Sequence, residues 1–137
     1  SLALLENGLS HEDTIWIKEE DSGEIGRQAA QQIAADGSID GVICMTNLIA
    51  ANLINELQVL GKNVPADIKV CGFDPSDTRA IAVTESSNLK TSITCGVYNL
   101  NDMTDAAVER LQDRIENPEG VPVRILAHCD IQAGESG

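Results

Sequence analysis

Two apolar runs that stop abruptly at polar side chains restrict the fold more than any other feature of this chain. Gly41-Val42-Ile43-Cys44-Met45 ends at Thr46-Asn47, and the mostly apolar Ile68-Lys69-Val70-Cys71-Gly72-Phe73 ends at Asp74. Strands that are apolar throughout belong to parallel sheets with helices on both faces, and open sheets of that kind bind ligands in a crevice beyond the carboxyl ends of their strands. Thr46, Asn47 and Asp74 stand where that crevice opens, which makes them candidate ligand contacts. Asn47 has a local role open to it as well, because Asn is a favoured helix N-cap.

The residues after each run support a βα repeat. From Leu48 to Leu60, Ile49, Leu53, Leu57 and Leu60 fall on one helical face, and Gly61 stands where a C-cap belongs. Upstream, Ile25, Ala29, Ile33 and Ala34 have helical spacing and Asp36-Gly37 ends the helix. Asp21 with Glu24 three residues on resembles a capping box. Thr14 to Lys18 reads as a strand with Trp16 in the core, and Leu2, Leu4 and Leu5 as the last turns of a helix stopped at Asn7-Gly8. Downstream, Ala80 to Val83 reads as a short helical turn and Thr84 to Asn88 as a polar loop. Leu89 to Val97 reads as a strand or crossing segment. Leu100, Met103, Ala107, Leu111 and Ile115 mark the clearest amphipathic helix, stopped at Asn117-Pro118. Val121 to Ile131 reads as a last strand region and Ala133 to Gly137 as a loose end. Alternating strands and helices of these lengths predict an α/β fold with a parallel sheet flanked by helices, doubly wound.

Composition narrows the function. A chain of 137 residues with 42% hydrophobic content can bury the core of one domain. Its single Trp, Tyr and Phe leave Trp16, Phe73 and Tyr98 as the rings on which a ligand could stack. The net charge of -13 disfavours contact with a nucleic-acid backbone, which needs clustered Lys and Arg. The four cysteines form no C-x-x-C pair, and Cys44 and Cys71 lie in apolar strands, so reduced core thiols in a cytoplasmic protein are expected. No apolar run approaches the roughly 18 to 20 residues of a membrane span, and no partner membrane is expected. The sequence carries no phosphate-binding glycine loop, nucleophile elbow or zinc-protease motif. His11 and His128 lack neighbours at metal-ligand spacing, so neither a metal, a cofactor nor a catalytic residue is expected. Carboxylates alone do not separate an enzyme from a receptor, since both use them to accept hydrogen bonds from hydroxyls.

Taken in order, Asp40 to Asn47 and then Leu60-Gly61-Lys62-Asn63-Val64-Pro65-Ala66-Asp67-Ile68-Lys69-Val70-Cys71-Gly72-Phe73-Asp74 resemble the sensor domain of lactose-repressor-type (LacI/GalR) transcriptional regulators. The G-x-x-V-P-x-D-I-x-V-x-G-F-D pattern carries most of the likeness. Ser92 to Val97 resembles that family's P-L-T-T-V-like strand, Asn101 to Thr104 its E-M-G helix start, and Glu20 to Gly26 the loop and helix after its preceding strand.

The resemblance implies the second, C-terminal lobe of a two-lobed, periplasmic-binding-protein-like effector domain spanning residues 1–137. The family's helix-turn-helix DNA-binding domain and most of the first lobe would then be absent. It implies a cytoplasmic regulator that binds a small polar metabolite, most often a sugar, pairs as a homodimer and reaches DNA only through the missing domain. It implies effector contacts near Asp21, Thr46, Asp74, Tyr98 and Leu100. Only Asp74 keeps the family's residue type. Thr46-Asn47 stands where the family has Asn-Asp, Asp21 and Leu100 stand where sugar-binding members can place a ring, and Gly134-Glu135-Ser136 lacks the Arg of the usual R-E-S ending. The helix stripe of Leu100, Met103, Ala107 and Leu111 would lack its usual partner and form an exposed patch. The alternatives are an exported sugar receptor, which shares the fold, and a small α/β enzyme using Asp74 and Asp21.

Overall fold

The computed structural model describes residues 5–8, 17–18, 21–75 and 89–137. Along the chain these form α1 (Ser22–Ala35), β1 (Gly41–Ile43), α2 (Asn47–Val59), β2 (Lys69–Pro75), β3 (Thr94–Tyr98), α3 (Leu100–Glu116) and β4 (Cys129–Gln132). The sheet order is β1-β2-β3-β4. The first three strands are parallel, as expected, with Ile43 opposite Cys71 and Asp74 opposite Val97. The last is antiparallel, with Tyr98 opposite Cys129. Its direction follows from the path: the chain leaves the sheet at the carboxyl end of β3, runs through α3, and re-enters beside Tyr98 at that same end.

The core lies between α1, α2 and one sheet face. Ala30, Ala50, Ala51, Leu53, Ile54, Leu57 and Val70 are fully buried, and Ile33 nearly so. The Leu, Ile and Val side chains among them stabilise by about 1.5 to 3 kcal/mol each when taken from water. Small residues let the two helices approach: a Cβ on Gly26 would stand 2.7 Å from the Cβ of Asn52. The buried face of α2 is wider than the expected one: Leu53 and Leu57 are buried and Ile49 packs against the core as expected, Ala50 and Ile54 are buried as well, and Leu60, the C-cap, is 45% exposed. A helix apolar on most of its circumference does not fix its own orientation by pattern, and packing against α1 and β2 selects the face. The helix end follows expectation: Gly61 adopts φ +78°, and the N–H of Lys62 reaches the carbonyl of Leu57 at 2.9 Å. Gly8 likewise stops the Leu5–Glu6 turn at φ +72°.

Burial also acts on the thiols. The Cys44 thiol is pushed up to about 12 by its apolar surroundings, with the nearby Cys71 adding to the effect. All four cysteines are free.

The chain end departs from expectation. The buried Ser136 holds two strands together: its hydroxyl donates to the Val70 carbonyl at 2.6 Å and accepts from the Thr94 N–H at 2.9 Å. Its own carbonyl accepts from the Val70 N–H at 2.7 Å. Glu135 accepts from the N–H and hydroxyl of Ser92 at 3.1 and 3.3 Å. Gly134 passes so close to Ile93 that a Cβ there would meet backbone at 2.5 Å. Small polar residues, which read as a flexible tail by composition, are here the ones that fit between the starts of β2 and β3.

Other expectations fare unevenly. The predicted last strand from Val121 shrinks to Cys129–Gln132. Among the described residues of the Thr14–Lys18 segment, Ile17 and Lys18 are not in a strand. Trp16, the Ala80–Val83 turn and the Thr84–Asn88 loop lie outside the described residues. No helix among the described residues is long and apolar enough to cross a membrane. No cluster that could hold a metal ion occurs among them either.

Candidate functional site

Three adjacent parallel strands place Thr46, Asp74 and Tyr98 along one edge of the sheet, each at the carboxyl end of its strand. Leu100 follows at once as the first residue of α3, half-buried. Asp21 caps the start of α1, at the far end of that helix from its connection to β1 and hence on the same side of the sheet. The topology thus brings the expected positions to one rim. The side chains there do different work.

Thr46, not Asn47, is the N-cap of α2. Its Oγ1 accepts from the Ile49 N–H at 3.2 Å. An N-cap side chain must lie outside the helix and reach back two or three residues. Extended backbone at φ -142°, ψ 159° puts Thr46 there and leaves Asn47 as the first helical residue. Among the described residues the Thr46 hydroxyl donates its proton to no partner.

Asp74 Oδ2 accepts from the Asn47 N–H at 2.9 Å. This N–H is one of the four that a helix start cannot satisfy internally, and a carboxylate is well placed at the positive end of the helix macrodipole. Oδ1 of Asp74 accepts no bond among the described residues, and the side chain is half-buried. A carboxylate oxygen and a hydroxyl proton, neither with a partner among the described residues, make one acceptor and one donor available at the rim.

Asn47 is turned away from the crevice. It is 2% exposed, and its Oδ1 has no hydrogen-bond partner among the described residues. The amide is packed over the backbone of Gly72: a Cβ there would be 2.0 Å from Oδ1. A buried acceptor left without a donor costs about 1 to 3 kcal/mol. Beside it, burial pushes the Cys95 thiol up, and the Asn47 side chain partly offsets that push.

Asp21 is occupied as a cap, its Oδ1 accepting from the Glu24 N–H at 2.9 Å. Only half of the expected capping box forms. The Glu24 carboxylate turns instead to Arg27 Nε at 2.8 Å and Gln28 Nε2 at 2.7 Å. Those bonds, Arg27 first, hold the Glu24 carboxyl down at about 2.

Tyr98 is half-buried and stacks on Phe73, with ring centroids 5.3 Å apart and planes inclined by 25°. The Phe73 ring lies across Gly96, where a Cβ would approach it to 2.7 Å. Phe73 is 42% exposed on the sheet face opposite to Asp74. Strand alternation therefore separates the rings from the carboxylate. Gly72 was not legible as a site residue, because its part is to leave room for Asn47.

A separate cleft of about 720 Å³ lies between α3 and the segment leading into β4, lined by Met103, Ala107, Arg110, Val123, Ile125 and Tyr98 among others. It shares Tyr98 with the rim and includes none of Thr46, Asn47 or Asp74. The expected exposed stripe is present: no residue of α3 is buried, Met103 is 42% exposed and Leu111 62%.

The sequence model of the periplasmic binding protein-like domain matches residues 1–136. Among solved structures, a transcriptional regulator CelR in complex with cellobiose is similar at TM-score 0.74 and 24% identity, over 99% of this chain and 40% of that one. A LacI-type transcription regulator from Bifidobacterium animalis subsp. lactis gives TM-score 0.71 and 24% identity over 98% of this chain and 46% of that one. A LacI family regulator from Enterococcus faecium with bound ribose gives 0.66 and 21%, over 98% and 48%. This chain thus spans less than half the length of these structures. No curated protein matches it.

Proposed function

Because the chain belongs to the periplasmic binding protein-like domain family, we propose that it is the second lobe of the effector-binding domain of a LacI-type transcriptional regulator, and that its ligand is a small polyhydroxylated metabolite such as a sugar. The observation that carries this reading is the state of Asp74. One carboxylate oxygen is held by the Asn47 N–H and the other accepts no bond among the described residues, at a strand end where open α/β sheets take ligands. Thr46, the residue before Asn47, adds a hydroxyl proton at the same rim. Sugars present O–H groups that both donate and accept, and this pair answers both.

In this reading a first lobe closes over the rim, and closure around the ligand shifts the placement of paired DNA-binding domains. The chain itself performs no catalysis, and the likeness to regulators supports that role. Asp21, Thr46, Asp74 and Leu100 are the proposed contacts, and Tyr98, on the sheet face opposite to Asp74, is set apart from the carboxylate. Asp74 is the strongest of them and Asp21 the weakest, since one oxygen of Asp21 is already spent on a cap. Asn47 is withdrawn from direct contact by its burial.

Calorimetry of the full-length protein against cellobiose, ribose, glucose and sucrose tests the proposal. One of them is expected to bind, and Asp74→Asn to weaken it by roughly 1.5 to 3 kcal/mol, tenfold or more, through loss of a charge-assisted bond. Unchanged affinity in Asp74→Asn would remove Asp74 from the site.

A further inference from the structure

Asn47 presents a buried amide whose oxygen has no donor among the described residues. An unpaired buried polar group in a native structure needs a reason. Its surroundings supply one. Oδ1 and Cγ lie directly over Gly72, so closely that a Cβ would stand 2.0 and 3.0 Å from them. Gly72 faces Cys95 across the β2–β3 register and is two residues before Asp74. The amide therefore sits in a slot made by the absence of a side chain on the central strand, at the first residue of α2. The backbone N–H of that same residue holds Asp74 Oδ2 at 2.9 Å.

We infer that Asn47 is a positioning residue for Asp74: its side chain, keyed over Gly72, fixes the start of α2 against β2 and so aims the N–H that orients the carboxylate. The inference rests on the proposed role of Asp74 in effector binding for its functional meaning. The physical coupling stands apart from it. Thr46 alone sets the helix start along the chain through its bond to Ile49. It does not set the distance between helix and strand, which an extended side chain wedged against strand backbone does. Asp74 on its own could swing about its side-chain torsions. Tied to an N–H whose residue cannot move, it keeps its second oxygen in one place.

Hydrogen exchange of the apo chain, read residue by residue by NMR, tests the coupling without any effector. In Asn47→Ala the backbone N–H of residue 47 remains, but it is expected to exchange about tenfold faster or more, because local opening no longer has to lift an amide from its slot. The amides of Leu53, Ile54 and Leu57, buried further along α2, are expected to keep their protection. Asn47→Ser withdraws the side chain from the slot with a smaller change in polarity, and carries the same test should the alanine variant fail to fold. Unchanged protection at residue 47 in a folded variant would overturn the inference. An even loss along α2 would also overturn it, because Asn47 would then be a general stabiliser of the helix. Either result is independent of sugar binding, so failure of the proposed function and failure of this coupling are told apart.

Discussion

The backbone N–H of Asn47 and the carboxylate of Asp74, 27 positions apart in sequence, share a hydrogen bond of 2.9 Å that joins the start of α2 to the end of β2. Two elements that alternate along the chain are thereby locked at the rim where the candidate site lies. One carboxylate oxygen has a structural bond and the other accepts none among the described residues, so the structural role and the proposed ligand role can be separated by substitution.

Asp74→Ala removes both roles, whereas asparagine keeps a carbonyl oxygen for the Asn47 N–H. The alanine variant is expected to lose about 1 to 2 kcal/mol of stability, comparable to loss of a helix cap, while Asp74→Asn loses less than half of that. Urea unfolding of the two variants beside the parent checks this. Equal losses would show that charge, and not the acceptor, is what the helix start requires.

Ser136→Ala leaves the Thr94 N–H without its acceptor and takes one donor from the Val70 carbonyl. Stability is expected to fall by about 1 to 3 kcal/mol, the cost of orphaning buried backbone groups. Gly134→Ala is expected to be at least as damaging, because its Cβ would collide with the Ile93 backbone. A thermal melt in which either variant matches the parent would return residues 133–137 to the status of a tail.

Glu24 gives a pH dependence of known sign. Its folded value, about 2, lies below its ordinary value of about 4.3, so its contribution is complete above that ordinary value and is lost as pH falls toward 2. The pair with Arg27 is on the surface, so the effect on global stability is small and screened by salt. The direct measurement is the carboxyl chemical shift of Glu24, whose midpoint should move back toward 4.3 in Arg27→Ala. A midpoint that starts near 4.3 in the parent chain would show that the bonds to Arg27 and Gln28 do not persist in solution.

The α3 stripe predicts self-association. Met103, Leu111 and Ile115 are exposed on a helix with no buried residue, and an apolar patch of this kind favours pairing. Light scattering at increasing concentration should show a dimer or larger species, and Leu111→Glu should shift it toward monomer. A monomer at every concentration, or an association indifferent to Leu111→Glu, would place the contact elsewhere or remove it.

The apolar runs ending at Thr46 and Asp74, together with the helical periods between them, determined the βα alternation, the parallel β1–β3 core and the rim on which the candidate residues meet. These follow from local rules: strand length, helical spacing, and glycine at positive φ after α2. Tertiary structure alone decided which residue of the Thr46-Asn47 pair points outward. Both are favoured caps, and the choice depends on whether a side chain has a slot to enter, which Gly72 on a strand more than twenty residues away provides. It also decided the buried face of α2, where apolar residues on most sides leave the pattern degenerate. Asp21 shows the same limit, since a carboxylate three residues before Glu24 can cap a helix or meet a ligand and only its bond distinguishes them. Ser136 is the plainest case. Composition marks Gly134-Glu135-Ser136-Gly137 as a flexible end, yet a hydroxyl small enough to fit between two strands, with a donor and an acceptor waiting there, is buried by partners that lie 66 and 42 positions away.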